Sequence, residues 1–405
     1  MKRNQFILIL VLLVALGGVA LFLRNRDSAS WSSSATASSD KILSFPLNDV
    51  SNLTIKTSEA ELDLVKKEGT WRVTERSDYP ADFEKVAGLL RKLWELKPAQ
   101  DVEVGPSQFG RLQLVEPGKD PNSGTSINLK DDSSKVIGTL LLGKKLTQDS
   151  NPAFPGRSFS RGRYVMTPAR PGRVFLVSEG LDEVQIKPEQ WLDRDFVKAQ
   201  NAKSITLVGT EPAKNWTISR DTESAPWTLV GIKPGEEVDA GKAGSIPNFL
   251  SSLSFTDVLP PDKPAAETGL DQPSTLTIET FDGFSYDVKI GKLMETNYPV
   301  LVSVKATLPN ERKAGADEKP EDKTKLDKEF KDKQKTLHEK LEKEQKLAGR
   351  PYLVAKSTVD QLLKDRSALL KPPPTPSPAP SVPMPPVNLA HPPRPAASPI
   401  KTPPH

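Results

Sequence analysis

Paired carboxylates are the side chains of this sequence whose type and spacing best fit catalysis. Asp82 and Asp239 occupy matching positions in two similar stretches of the chain, and Asp193 and Asp365 occupy roughly matching ones. Two acids on either side of a glycosidic bond can hydrolyse it, one as general acid and the other as nucleophile or base. This pattern therefore allows a carboxylate-dependent hydrolase.

A structural role competes with catalysis at all four positions. Asp82 and Asp239 each stand directly before a helical pattern, where a carboxylate accepts a free backbone N–H of the first turn. Asp193 and Asp365 are each followed by an arginine, which predicts a local ion pair. The structural role is favoured, so we predict no catalytic, cofactor-binding or metal-binding residue.

Three tryptophans, Trp71, Trp191 and Trp227, are the candidates for stacking on a sugar ring. Trp71 and Trp227 begin matching strand patterns about 150 residues apart, a spacing typical of domain duplication. Equivalent strand positions favour packing between strands over an exposed sugar platform.

Histidine and cysteine chemistry is nearly excluded by the composition. The chain has no cysteine, so it forms no disulfide and offers no thiolate nucleophile or metal ligand. Its three histidines are His338, in a charged segment, and His391 and His405, in a proline-rich tail. A histidine general base or a histidine-ligated zinc ion is therefore not expected in the folded part. The sequence also has no glycine-rich phosphate loop.

Length and charge bound the class of protein. The chain has 405 residues, enough for two ordinary domains. Its 56 basic residues are nearly balanced by 52 acidic ones, with a net charge of +4. A nucleic-acid-binding domain normally carries a clear basic excess, so we expect no nucleic-acid partner.

The elements that would hold these residues form a module that is present twice. Residues 268–291 predict a β-hairpin around Asp282-Gly283, because this dipeptide between two alternating apolar runs favours a tight turn with positive φ. A weaker copy of the hairpin lies at residues 110–143. Short strands and one amphipathic helix precede each hairpin, and more strands follow it.

We therefore predict an α+β fold of two tandem modules, residues 41–198 and 202–370, built from short antiparallel strands, hairpins and helices. One helix starts after Asp82 and runs to about Leu96, and its counterpart starts after Asp239.

The second module carries a charged insertion, residues 308–350. A narrow apolar stripe predicts a helix from about Thr324 to Leu347, which lies on its own module, projects as an arm, or pairs with another helix in a coiled coil. The first of these is favoured. Opposite charges four residues apart should support the helix, with the glutamate first. These pairs are Glu329/Lys333, Glu339/Lys343 and Glu342/Lys346.

Both ends of the chain have unusual composition. Residues 1–27 predict an uncleaved membrane anchor, which is favoured over a cleaved signal peptide because Arg24 and Arg26 follow the apolar part directly. That apolar part, from Phe6 to Leu23, would span about 27 Å as a helix. A short N-terminal tail favours a single-pass protein of the cytoplasmic membrane with its bulk outside the cytoplasm. Residues 28–40 are rich in Ser and Ala and predict a tether, and residues 371–405 predict a disordered, proline-rich tail.

Several short motifs, in this order, resemble a bacterial family called domain of unknown function 4340, over most of residues 45–370 and in both copies. The motifs are Trp71-Arg72-Val73, Tyr79-Pro80-Ala81-Asp82, the Val86/Leu89/Leu90/Leu93 helix, the Tyr164-Val165 to Val174–Val177 strand pair, Thr268–Pro273 and Lys289-Ile290-Gly291. The first copy departs from the pattern, since its step from Gly110 to Pro117 is longer than the step from Gly269 to Pro273.

The resemblance implies an N-terminally anchored envelope protein associated with an ABC-type export system of the gliding kind. It implies no catalytic residue. We therefore expect a non-enzymatic accessory or scaffold protein that contacts lipid through residues 6–23 and binds a membrane-protein partner. The alternatives are an extracytoplasmic module that binds cell-wall glycan or peptide and, more weakly, the carboxylate-dependent hydrolase.

Overall fold

The structure is a computed structural model of the chain and describes residues 41–118, 122–148, 159–312 and 318–372. The predicted anchor, the tether and the tail beyond residue 372 lie outside the described residues. Within the described part, no helix is both long and apolar enough to cross a bilayer.

Nine strands form the first antiparallel sheet, in the order β4-β3-β2-β1-β6-β7-β8-β9-β5. These are β1 (Asn52–Lys56), β2 (Glu61–Lys67), β3 (Thr70–Val73), β4 (Tyr79–Pro80), β5 (Gln100–Val102), β6 (Thr125–Lys130), β7 (Val136–Gln148), β8 (Phe159–Met166) and β9 (Val174–Val177).

Eight strands form the second antiparallel sheet, in the order β12-β11-β10-β14-β15-β16-β17-β13. These are β10 (Ala202–Val208), β11 (Trp216–Ser219), β12 (Thr228–Leu229), β13 (Asp257–Val258), β14 (Ser274–Thr280), β15 (Phe284–Ile290), β16 (Asn297–Ala306) and β17 (Tyr352–Ala355). Apart from the short β4, the first sheet follows this same order of eight strands. The predicted α+β class, with antiparallel strands, is confirmed.

Five α-helices occur in the described part of the chain. These are α1 (Phe83–Glu95), α2 (Ala240–Ser251), α3 (Ala265–Thr268), α4 (Pro320–Gln345) and α5 (Lys356–Leu362). Short 3-10 turns connect the elements, at Leu47–Asp49, Thr74–Arg76, Pro106–Gln108, Gly110–Leu112, Pro188–Trp191, Pro212–Lys214 and Arg366–Leu369.

The predicted hairpin forms between β14 and β15 as the alternation requires. Leu276 faces Val288 and Ile278 faces Tyr286, and all four side chains are buried. Gly283 closes the turn at φ 85°, a conformation that costs glycine little. The core under this sheet is continuous with the core under the first one, because buried side chains of both sheets form one cluster.

The turn that precedes each hairpin corrects one sequence-based alignment. Gly269 follows α3 in the left-handed region at φ 73°, and in the first sheet Gln113 takes the same place at φ 54°. The strand-end glycines agree, since Gly143 lies against the Leu112 carbonyl and Gly291 against that of Thr268. The counterpart of Gly269 is therefore Gln113 and not Gly110. The apparent extra residues arose from matching glycine with glycine.

The charged helix α4 lies on the second sheet, as the favoured alternative predicted. It begins at Pro320, earlier than expected, and Leu337 and Leu341 pack against the hydrophobic core beside β16. This apolar stripe is covered by the same chain, so these two positions are not available for a coiled coil.

Two lysines of the predicted ion pairs in α4 contact other elements instead. Lys333 lies 2.9 Å from Asp282 of the hairpin turn, and Lys343 lies 2.6 Å from Asp195. Glu339 faces Lys335 at 3.9 Å. Carboxylates outside the helix are closer than those one turn away, because the helix lies against them.

Two glycine turns provide a matched test of the hairpin. Gly283→Ala and Gly69→Ala should both incur backbone strain of about 1–2 kcal/mol, since both residues have positive φ. Only a Cβ at Gly283 would enter van der Waals distance of another group, the Thr307 carbonyl oxygen, whereas Gly69 faces open space. Urea unfolding should therefore show a larger loss for Gly283→Ala, by at least about 1 kcal/mol. Equal losses would contradict the turn geometry.

Candidate functional site at the joint between the sheets

Four aromatic side chains meet where the two sheets join, and we call them the aromatic joint: Tyr79, Phe196, Phe255 and Tyr352. The ring centroids of Phe196 and Tyr352 are 4.7 Å apart, and Tyr79 meets Tyr352 edge-on at 6.1 Å. All four are buried. Contacts of this kind each contribute about 0.5–1.5 kcal/mol beyond area burial, so the joint holds the sheets firmly.

Burial also sets the protonation of this cluster. It raises the pKa of the Tyr352 phenol to about 12 and raises the pKa of Tyr79 above its ordinary value. Both hydroxyls therefore stay protonated near neutral pH. They act as packing groups and hydrogen-bond donors, not as general bases.

Arginines from both sheets surround the aromatic joint. Arg76, just after β3, donates two hydrogen bonds to Asp257 of β13, at 2.7 and 2.8 Å. Arg350, just before β17, donates to the backbone carbonyls of Arg76 and Ser77 at 2.8 and 3.0 Å and lies 5.4 Å from the Tyr79 ring centre. A bidentate pair fixes orientation as well as distance, so these contacts set the angle between the sheets.

A buried carboxylate binds the segment around Lys198, which links the first sheet to β10. We call this segment the linking segment and this arrangement the Glu344 clamp. Glu344 of α4, only 5% exposed, accepts the Lys198 backbone N–H at 3.1 Å and the Tyr286 hydroxyl at 3.0 Å. Lys340 donates to Glu344 at 3.1 Å and to the Lys198 carbonyl at 3.2 Å. Both backbone groups of Lys198 are thus bound by one helix turn.

A cleft of about 710 Å³ opens beside the aromatic joint, and we call it the joint cleft. Both sheets, the linking segment and the end of α4 contribute to its wall. Its charged residues are Arg72, Asp78, Asp193, Asp195, Lys198, Lys340, Lys343, Glu344, Lys346 and Arg350. Its apolar surface includes Pro261, Leu347 and Ala348.

The charges of the joint cleft are unequally paired. Three of its four carboxylates face a lysine: Asp78 faces Lys67, Asp195 faces Lys343, and Glu344 faces Lys340. Asp193 instead accepts the Asp195 backbone N–H at 3.0 Å.

Four cations of the cleft have no acidic partner in the part of the chain that the structure describes. Among the described residues, no carboxylate lies within 4.0 Å of Arg72, Lys198, Lys346 or Arg350. The cleft therefore presents net positive charge toward solvent.

The carboxylates singled out in the sequence serve as helix caps. Asp82 accepts the Lys85 N–H at 3.2 Å at the start of α1, and Asp239 accepts the Lys242 N–H at 3.1 Å at the start of α2. This backbone hydrogen bond lowers the pKa of Asp239 below its ordinary value. Both carboxylates therefore act as N-caps, as predicted, and they cap two different helices, α1 and α2.

The sequence-based pairing of Asp193 with Asp365 is wrong. Each sheet closes with a 3-10 turn followed by a bridge to the residue before the helix cap, Ala81 to Leu192 and Val238 to Leu370. Asp193 follows its closing turn, whereas Asp365 precedes the other one. Both aspartates lie near the end of a predicted module and precede an arginine, and this likeness matched two residues that are not equivalent.

The predicted local ion pairs at these aspartates are also wrong. Arg194 donates to the carbonyls of Glu189 and, at 2.7 Å, Phe255. Arg366 makes a bidentate pair with Glu236 at 2.7 and 2.9 Å. A planar guanidinium favours such two-point contacts over a neighbour in sequence.

The three candidate tryptophans pack against other residues of the two sheets. Trp71 and Trp191 are buried, and the indole N–H of Trp191 donates to the Gln185 carbonyl at 2.9 Å. Trp227 occupies the position in the second sheet that matches Trp71 and is half-buried beneath Arg220. These contacts agree with the predicted packing role.

The described part of the chain contains no cluster of metal-ligating side chains. No group of three or more His, Asp or Glu side chains there could hold an ion. His338 is exposed on α4, where its Nδ1 lies 2.8 Å from the Gln334 carbonyl. His391 and His405 lie outside the described residues.

The chain belongs to a family defined as a domain of unknown function, DUF4340. The family model matches residues 71–273, about half of the chain, from β3 to the residue before β14. The match is one continuous stretch across both sheets, so the presence of two family copies stays a prediction. No curated protein and no solved structure matches the chain.

Sequence reasoning missed the joint cleft. Its aromatic residues and its arginines are far apart in the chain. The nearest signal in the sequence was the charged insertion, which contributes Lys340, Lys343, Glu344, Lys346 and Arg350 to the cleft wall.

The helix caps can be tested by substitution. Asp82→Ala should lower the free energy of unfolding by about 1 kcal/mol, because it removes an N-cap acceptor. Asp239→Ala should act in the same direction. Asp82→Asn and Asp239→Asn keep an acceptor and serve as controls, so thermal melting should show them close to the unchanged protein. If the Ala variants melted like the Asn variants, the carboxylates would not be working as caps.

The Glu344 clamp can be tested on one helix. Glu344→Ala leaves the Lys340 ammonium and the Lys198 N–H without their buried partner, which should cost about 3–5 kcal/mol in urea unfolding. Glu339→Ala is the matched control, because Glu339 is exposed and faces only Lys335. That change should stay within about 0.5 kcal/mol. Similar effects of the two substitutions would show that Glu344 does not hold the linking segment.

Proposed function

We propose that this protein is a non-enzymatic, membrane-anchored envelope protein that serves as an accessory or scaffold subunit of a membrane complex. A partner would bind in the joint cleft. The observation that carries this proposal is that both sheets line the cleft, and that the aromatic joint and the Glu344 clamp fix its shape. A preformed surface loses little freedom on binding, which favours a stable complex.

The chemistry of the described residues supports a binding role over a catalytic one. Asp82 and Asp239 each accept a backbone N–H at the start of a different helix. The buried tyrosines hold their protons. The carboxylate-dependent hydrolase therefore loses the pair formed by Asp82 and Asp239.

Membrane attachment and location belong to the same proposal. The apolar run from Phe6 to Leu23 would anchor the chain, and residues 28–40 would let the folded part stand away from the lipid. The family resemblance suggests an ABC-type export system as the partner. The bulk of the protein would then lie on the extracytoplasmic side.

We further propose that the two sheets are tandem copies of one module. Their shared order of eight strands supports this proposal, as do the matching helix caps and matching strand-end glycines. Residues 41–198 and 202–370 would be the two copies, and the charged insertion would be an addition to the second.

A peptide-binding module is the second candidate. The joint cleft favours peptide over cell-wall glycan, because glycan binding commonly uses an exposed aromatic face, whereas its own aromatic residues Tyr79, Phe196 and Tyr352 are buried. In this alternative the same cleft binds a peptide without belonging to a lasting complex.

The scaffold proposal is tested by purifying the full-length protein from membranes in mild detergent. We expect a membrane protein to co-purify, and Ala348→Trp to abolish this by filling the joint cleft without changing charge. Ala213→Trp is the control, since Ala213 is exposed in the Pro212–Lys214 turn, which is not part of the cleft. Deletion of residues 308–350 would be less informative, because it also removes Glu344.

Failure to recover any protein with the unchanged chain would overturn the scaffold proposal. A partner retained by Ala348→Trp would show that the contact lies outside the joint cleft.

A further inference from the structure

We infer that the joint cleft binds an acidic segment of a partner polypeptide, in which carboxylate side chains alternate with apolar ones. This inference rests on the proposed function of the cleft and adds the chemistry of its ligand. The carboxylates would face Arg72, Lys198, Lys346 and Arg350, and the apolar side chains would lie against Leu347 and its neighbours.

The first argument is electrostatic. Three carboxylates of the wall already face lysines within 3.1 Å, while the four named cations have no acidic partner among the described residues. Lys198 and Lys346 are exposed, and Arg72 and Arg350 donate only to backbone carbonyls in this region. An anionic ligand would therefore gain ion pairs without breaking existing ones.

The second argument separates a peptide from a dense polyanion. Asp193 and Asp195 stand in the same wall and would repel a nucleic acid or polyphosphate, whose charges are closely and regularly spaced. A peptide can place its carboxylates at intervals and turn backbone N–H donors toward Asp193. Arginine also suits this ligand, because its planar fork matches a carboxylate in two-point contacts.

The third argument comes from the apolar part of the cleft. Pro261 and Ala348 are exposed and Leu347 is half-buried, so apolar surface remains open to solvent beside the cations. A volume of about 710 Å³ holds a short extended segment and little more. Apolar burial supplies affinity there, while the ion pairs supply specificity and association rate.

The test uses the full-length protein in mild detergent and a fluorescein-labelled octapeptide of sequence Glu-Ala-Glu-Leu-Glu-Ala-Glu-Leu. Anisotropy should show saturable binding that weakens as salt rises. The same peptide with Lys in place of Glu should bind at least about tenfold more weakly, because like charges meet in the cleft.

Two charge-reversed variants of equal net charge test the location. Lys198→Glu with Lys346→Glu should weaken binding of the acidic peptide at least about tenfold. Lys328→Glu with Lys331→Glu is the control, since both residues are exposed on α4 and absent from the cleft wall. It should bind like the unchanged protein.

Three results would overturn the inference: no saturable binding of the acidic peptide, equal binding of both peptides, or displacement of the acidic peptide by inorganic pyrophosphate at equal concentration. Co-purification tests the scaffold proposal independently of peptide binding. A partner that co-purifies and is lost with Ala348→Trp, combined with no acidic-peptide binding, would reject the acidic ligand and leave the scaffold proposal standing.

Discussion

The arrangement of the two sheets depends on one buried carboxylate. Glu344 binds the backbone N–H of Lys198 in the linking segment, and its neighbour Lys340 binds the carbonyl of the same residue. An ionised group removed from water is costly unless its hydrogen bonds are satisfied, so this arrangement tolerates few alternatives. The aromatic joint and the Arg76–Asp257 pair also connect the two sheets and support the same geometry. The joint cleft has a defined shape because these contacts hold its walls.

The two sheets share a strand order and yet are covered differently, and one position explains how. Tyr286 faces Ile278 in the second sheet, and the matching residue in the first sheet is Gly138, which faces Leu129. Phe45 packs beside Gly138 and fills the space of the missing side chain. In the second sheet the tyrosine ring fills that space itself and its hydroxyl reaches Glu344. The charged insertion thus covers in the second sheet the position that the segment before β1 covers in the first.

Most local structure could be predicted from the sequence. The hairpin turn at Asp282-Gly283, the caps Asp82 and Asp239, and the amphipathic face of α1 all follow from residues that are near neighbours in the chain. Errors arose where positions in the two halves of the chain were matched by residue type. Gln113 adopts a left-handed conformation that sequence reasoning assigns to glycine, and Asp365 was matched with Asp193 although only Asp193 follows its closing turn. The i,i+4 pairs of α4 were overridden by carboxylates that approach from Asp282 and Asp195.

The sequence by itself determined the kinds of elements and their order, because alternation, turn chemistry and capping act between residues a few positions apart. Only the tertiary structure decided the site. Lys198 and Glu344 are 146 positions apart, and Arg76 and Asp257 are 181 apart. A periodic pattern along the chain carries no information about which distant residues meet, whereas the burial of one continuous core brings them within hydrogen-bonding distance. The same folding leaves four cations of the joint cleft without acidic partners among the residues that the structure describes.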